Sequence, residues 1–214
     1  MPIELVGTEA LSLELTGATS LARARVLLKD LAPEVSDDGN AVVGLLLFRM
    51  QGMHVRGTPG PKVDYGEALW RIGVVHEGAP AWFALRCDLD HPLVMSLGRR
   101  AIRYPVRAAR FAFEDGGSAC SFAVRAEGVR LALRASITGR ASSPVPPRRV
   151  LSRVTGVLYE IPWREDPPPE VHDARIEWTS VELARATLGA PVSWLPGAVL
   201  LRGRVHRCGL ARRC

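Results

Sequence analysis

A chain of 214 residues with 47% hydrophobic content can bury one substantial core, and closed β architectures commonly use about this length for one domain, so a single domain over 1–214 is expected. Its formal charge of +6 invites nucleic acid as a partner. Almost all the cation is arginine, however, and no aromatics interleave the arginine clusters as a base-stacking platform needs, so no nucleic acid is expected. No apolar run approaches the roughly 18 residues of a membrane span and no basic region followed by an apolar core opens the chain, so no membrane association and a cytoplasmic location are expected.

With aromatics at 6% against 20 glycines and 16 prolines, short strands and turns are favoured over long helices. Ala10 to Leu15 alternates apolar and polar residues, the period of a half-buried strand. Thr19 or Ser20 can cap a helix whose Leu21, Val26, Leu27, Leu28 and Leu31 share one face, and Pro33 stops it. After the Ser36–Asn40 turn, Ala41 to Phe48 is a nearly continuous apolar run of strand length, suited to burial on both faces. Gly57 to Lys62 carries two prolines and two glycines and must be a loop. Lys62 on this loop is the amine nearest in sequence to Glu67.

Tyr65 to Val75 and Trp82 to Cys87 read as a strand pair. Alternation puts Ala68, Trp70, Ile72 and Val74 on one apolar face, and Glu67, Leu69, Arg71 and Gly73 on the other, which faces either solvent or a pocket. Asp90 can cap a helix over Leu93 to about Ala101, with Pro92 in its first turn. Tyr104-Pro105 then forces extended backbone, so Arg107 projects from a strand start. Ala108 to Glu114, Ala119 to Ala126 and Val129 to Thr138 form a meander. Ser142 to Pro147 is a loop; Val154 to Pro162 and Ala174 to Ala184 add strand or short helical segments. Ala198 to His206 reads as a final strand and Arg207 to Cys214 as a frayed basic tail. Cys87, Cys120, Cys208 and Cys214 lack the paired spacing of a zinc site, the five histidines are scattered, and neither a metal nor any other cofactor is expected.

Two stretches carry a resemblance: Tyr65-Gly66-Glu67, and Gly98 to Arg107, G-R-R-A-I-R-Y-P-V-R, following Asp88-Leu89-Asp90. Together they resemble the active-site segments of the acetoacetate decarboxylase family, where Gly-Arg-Glu and a later aromatic-Pro-Lys-Lys supply a Schiff-base lysine and a cationic neighbour that lowers its pKa. Here Val106 and Arg107 stand at the lysine positions. Valine has no nucleophile and a guanidinium stays protonated, so neither forms a Schiff base. Arg100 and Arg103 also replace the family's glutamate and later glycine, and Gly7-Thr8-Glu9 has Thr8 where the family carries a substrate-side arginine.

The resemblance implies an α+β, mainly β fold: a closed or nearly closed antiparallel β-barrel flanked by a few helices, with a largely apolar interior. It also implies that Glu67 lies inside the pocket as the catalytic or orienting group, with Arg107, Tyr65 and Tyr104 contacting substrate. The expected partner is a small oxo acid or related carbonyl metabolite; formation of a homo-oligomer stays open. Three functions remain: a lysine-independent carbonyl- or carboxylate-binding protein or enzyme, an acid/base enzyme using Glu67 for enolisation, dehydration or cyclisation, and a basic interaction module. Whether the chain is an enzyme is not decided by its sequence.

Overall fold

In the computed structural model, residues 3–141, 148–166, 170–183 and 191–214 are described. The elements run β1 (Glu4–Thr19), α1 (Leu21–Leu28), β2 (Ala32–Pro33), β3 (Ala41–Val55), β4 (Val63–His76), β5 (Ala79–Leu89) and α2 (Pro92–Leu97), then a π-helical turn (Gly98–Ile102). They continue as β6 (Val106–Asp115), β7 (Ala119–Ala126), β8 (Val129–Arg140), β9 (Arg149–Val154), β10 (Val157–Ile161), β11 (Trp163–Glu165), β12 (Glu170–Leu183), β13 (Ser193–Arg202), β14 (Arg204–Gly209) and β15 (Arg212–Arg213).

Nine strands close into a hydrogen-bonded ring in the order β5, β6, β7, β8, β12, β13, β1, β3, β4 and back to β5. The mainly β expectation holds, with one correction to the pairing. β5 and β6 run parallel, Cys87 opposite Val106 and Asp88 opposite Arg107, while the other ring pairings are antiparallel. The reason is the crossover through α2 and the π-helical turn, which returns the chain to the same end of the sheet before β6 starts; a tight hairpin cannot do this.

Alternation along β4 divides the interior in two. Ala68, Trp70, Ile72 and Val74 enter the larger apolar cluster with Leu13, Leu45, Phe122 and Leu131. Tyr65 and Leu69 point the other way, into a second cluster with Phe48, Met50, Leu89 and Ile102. Both faces of β4 are therefore buried from Tyr65 to Val74, and each fully enclosed large side chain contributes on the order of 1.5–3 kcal/mol. The face carrying Glu67 is an interior face, not a solvent one.

Several local expectations are corrected. Ala198 to His206 is not one strand: Gly203, at φ 69°, breaks it into β13 and β14, both of which pair with β1. The basic tail is not frayed, because β15 pairs with β10 and the Ala211 and Cys214 N–H groups donate to the Ala101 and Leu158 carbonyls. Asp90 does not cap α2. His91 holds the N-cap position, and Asp90 Oδ1 instead accepts the Gly66 N–H at 2.8 Å, tying the start of β4 to the crossover. Ser20 occupies the N-cap of α1 without a side-chain bond. The loop expected at 142–147 lies outside the described residues, as do residues 167–169 and Ala184.

Candidate functional site

The second cluster encloses a cavity of about 230 Å³. Its floor is the start of β4, where Tyr65 and Glu67 project two residues apart on one face. Leu5, Cys208 and Trp163 form one wall as direct cross-strand neighbours on β1, β14 and β11. Val94, Leu97, Gly98, Ile102 and Tyr104 of the crossover form the opposite wall, and Met53, His54, Gly60, Pro61 and Val63 lie at the rim. Two glycines set these distances. A Cβ on Gly66 would sit 2.6 Å from the Phe111 ring, and one on Gly98 would sit 2.9 Å from Val106 Cγ2, so both backbones approach their neighbours more closely than any side chain permits.

Among the described residues, Glu67 is the one acidic residue in an otherwise largely apolar lining. Burial pushes its carboxyl up to about 8, the negative charge of Glu9 adds to this, and a bond from the Cys87 thiol only partly opposes it. The thiol donates to Oε1 at 3.4 Å, which leaves the carboxylic proton on Oε2. At neutral pH this residue is an acid with a proton to give. Burial, followed by the nearby Glu67 charge, also holds the Tyr65 and Tyr104 hydroxyls well above the usual phenol range. Tyr104 is 6% exposed, and its hydroxyl is buried with no hydrogen-bond partner among the described residues. His54 Nδ1 lies 2.7 Å from the Gly52 carbonyl; a carbonyl only accepts, so Nδ1 carries the hydrogen and Nε2 of the neutral ring keeps its lone pair.

A buried ionic network adjoins this wall. Arg204 bridges Glu9, at 2.8 Å, and Glu14, at 3.2 Å, and Arg71 reaches Glu14 at 3.2 Å. Burial works against the Glu9 carboxylate, but His206 and Arg204 together outweigh it and hold the group down at about 2. His206 in turn packs edge-on against Trp163, ring centres 4.4 Å apart. Arg71 lies over the Trp82 ring and is bound to Glu14, so it does not serve the cavity although it shares a strand face with Glu67.

The structure brings together Tyr65, Glu67 and Tyr104, and it does not bring Arg107 to them. Expected in the pocket, Arg107 is instead half-exposed and paired with Glu127 at 2.7 Å, in an open recess shared with Arg99 and Arg153. The cause is strand alternation. Val106 takes the inward position, 8% exposed within the cavity's own apolar cluster, and the next residue must turn outward. Both lysines of the chain are exposed, Lys29 after α1 and Lys62 on the rim loop, and neither lines the cavity. Sequence reasoning missed His54, Cys87, Trp163 and Cys208. None of these residues sits in a metal-ligand spacing that would single it out, and their positions follow from cross-strand register, which no local motif encodes.

An acetoacetate decarboxylase-like fold is what this ring, crossover and cavity define. Solved structures similar to the chain include an acetoacetate decarboxylase-like enzyme from Sphingomonas wittichii RW1, with TM-score 0.74 and 16% identity over 100% of this chain and 93% of that one. The enduracididine biosynthesis enzyme MppR, complexed with the condensation product of pyruvate and imidazole 4-carboxaldehyde, is similar at TM-score 0.68 and 17% identity over 100% and 89%. Acetoacetate decarboxylase from Legionella pneumophila is similar at TM-score 0.71 and 13% identity over 100% and 87%. No curated protein matches the sequence. The chain belongs to DUF2071, a family described as an uncharacterized conserved protein, whose model matches residues 24–186.

Proposed function

We propose that the chain binds a small carbonyl compound in the Glu67 cavity and does so without a Schiff base, so that it is not an acetoacetate decarboxylase in chemistry. The observation that carries the reading is the buried Glu67 carboxyl standing in an apolar lining without arginine or lysine among the described residues, surroundings that push it up to about 8. A neutral carboxylic acid there gains by donating to a carbonyl oxygen, which has no competing water once the cavity is filled. The apolar lining takes the hydrocarbon part of the ligand, and Tyr65 and Tyr104 bound the polar end. Fold neighbours whose names refer to acetoacetate and pyruvate chemistry are consistent with this class of ligand.

An acid/base version of the reading is favoured by His54. With Nδ1 committed to Gly52, its Nε2 lone pair is available to take a proton from the carbon next to the carbonyl while Glu67 Oε2 delivers one to the carbonyl oxygen, giving an enol, a glutamate and an imidazolium; the reverse transfers restore both groups. The experiment is solvent exchange: a ketone incubated with protein in deuterated buffer is followed by proton NMR. Loss of the α-proton signals that requires both Glu67 and His54 supports the enzymatic version. Binding without exchange leaves the chain a binding protein, and absence of both removes the proposal.

A further inference from the structure

From the cavity lining and the unpartnered Tyr104 hydroxyl, we infer that the ligand is an uncharged ketone or aldehyde held between two O–H donors, Glu67 and Tyr104, and that oxo acids are rejected. The inference rests on the reading of the cavity as a carbonyl site and narrows it to one chemical class. Three observations of geometry support it. First, no arginine or lysine lines the cavity among the described residues. The buried cations that adjoin it are committed elsewhere, Arg71 to Glu14 and Arg204 to Glu9 and Glu14, Arg107 pairs with Glu127 outside the enclosure, and Lys62 on the rim loop is exposed. A carboxylate brought in would be a desolvated anion with no arginine or lysine to pair with, beside a carboxyl that is itself kept neutral.

Second, the Tyr104 hydroxyl is buried and makes no hydrogen bond among the described residues. A phenol left in that state loses the hydrogen bond it had with water in the unfolded chain, a loss that a ligand oxygen restores. The crossover fixes this residue, since the Tyr104 N–H donates to the Gly98 carbonyl at 2.9 Å and Pro105 holds the backbone extended. A carbonyl oxygen has two lone pairs and takes both donors at once. Third, the volume limits size. At 230 Å³ the cavity exceeds the roughly 150 Å³ that holds benzene in an engineered apolar core, which points to about six to nine non-hydrogen atoms.

The test is a matched pair of probes, 5-methylhexan-2-one and 4-oxopentanoate, which differ by exchange of an isopropyl group for a carboxylate of similar shape. Calorimetric titration of the full chain at pH 7 is expected to show the ketone binding at least about tenfold more tightly. Tyr104→Phe is expected to weaken the ketone about five- to tenfold, the loss of one hydrogen bond, while keeping the ring and the fold. Equal or tighter binding of 4-oxopentanoate, or a Tyr104→Phe protein that binds the ketone unchanged, overturns the inference while the carbonyl site survives. If neither probe binds the wild-type protein, the carbonyl site itself is wrong. An unchanged thermal midpoint for the variant separates lost contact from lost fold.

Discussion

Glu9 and Glu67 are both fully enclosed carboxyls, and their surroundings drive them in opposite directions. Glu9 is held down by His206 and Arg204 against the cost of burial, and Glu67 is pushed up by burial with no cation to oppose it. The signs of their pH dependence are therefore opposite. Between pH 4.5 and about 8 the unfolded chain has released the Glu67 proton and the folded chain has not, so stability falls across that window as pH rises, by roughly 3–5 kcal/mol in total. Urea unfolding of Glu67→Gln is expected to lose this slope and to make the protein more stable than wild type at pH 8. Glu9 contributes stability that is present above pH 4.5 and disappears toward pH 2. Glu9→Gln leaves Arg204 and His206 beside a neutral group and is expected to cost about 3–5 kcal/mol at pH 7 by the same measurement, since breaking a buried pair strands its partner.

At the level of elements, the crossover from β5 to β6 makes the site. It carries Gly98 and Tyr104, sends Val106 inward and Arg107 outward, and is tied to the start of β4 through Asp90 and Gly66. A methyl group on Gly66 or Gly98 must displace the Phe111 ring or Val106. Gly98→Ala is expected to cost about 1–3 kcal/mol by overpacking and to weaken ketone binding because it moves the wall that bears Tyr104. The parity of β4 was legible in the sequence, since a wholly apolar set at 68, 70, 72 and 74 puts Glu67 on the opposite face, while whether that face met solvent or a pocket was left to the resemblance. The meander from β6 to β8 was legible as well, with its hairpin turns. Arg107 was not, because alternation is counted from the first paired residue, and the strand begins at Val106, where Tyr104-Pro105 alone does not settle the phase. The parallel return of β6 was hidden for a related reason: a six-residue helix followed by a π-helical turn reads in sequence as one ordinary helix, and its direction of exit depends on that turn. The split at Gly203 and the ordered tail were invisible because each depends on distant partners in β1, β10 and the crossover.

For the whole molecule, the ring closes around two apolar bodies, one that holds the fold together and one that carries the cavity. Of the basic charge, Arg71 and Arg204 are buried in the network beside the cavity, and several outer arginines engage surface carboxylates such as Glu4, Glu34, Glu77 and Asp166. With both lysines exposed and neither lining the cavity, incubation with acetoacetate or pyruvate followed by borohydride is expected to leave the protein mass unchanged, and a stable adduct at Lys62 would show that the rim loop closes over the cavity. The central claim is that a neutral Glu67 carboxyl receives a carbonyl ligand. It is tested most directly by carbon-13 NMR of protein labelled at glutamate Cδ, titrated with and without 5-methylhexan-2-one. The account predicts one glutamate resonance with a midpoint near 8, absent in Glu67→Gln and shifted by the ketone. A Glu67 midpoint in the ordinary carboxylate range, or a resonance that the ketone leaves unmoved at saturating concentration, would contradict it.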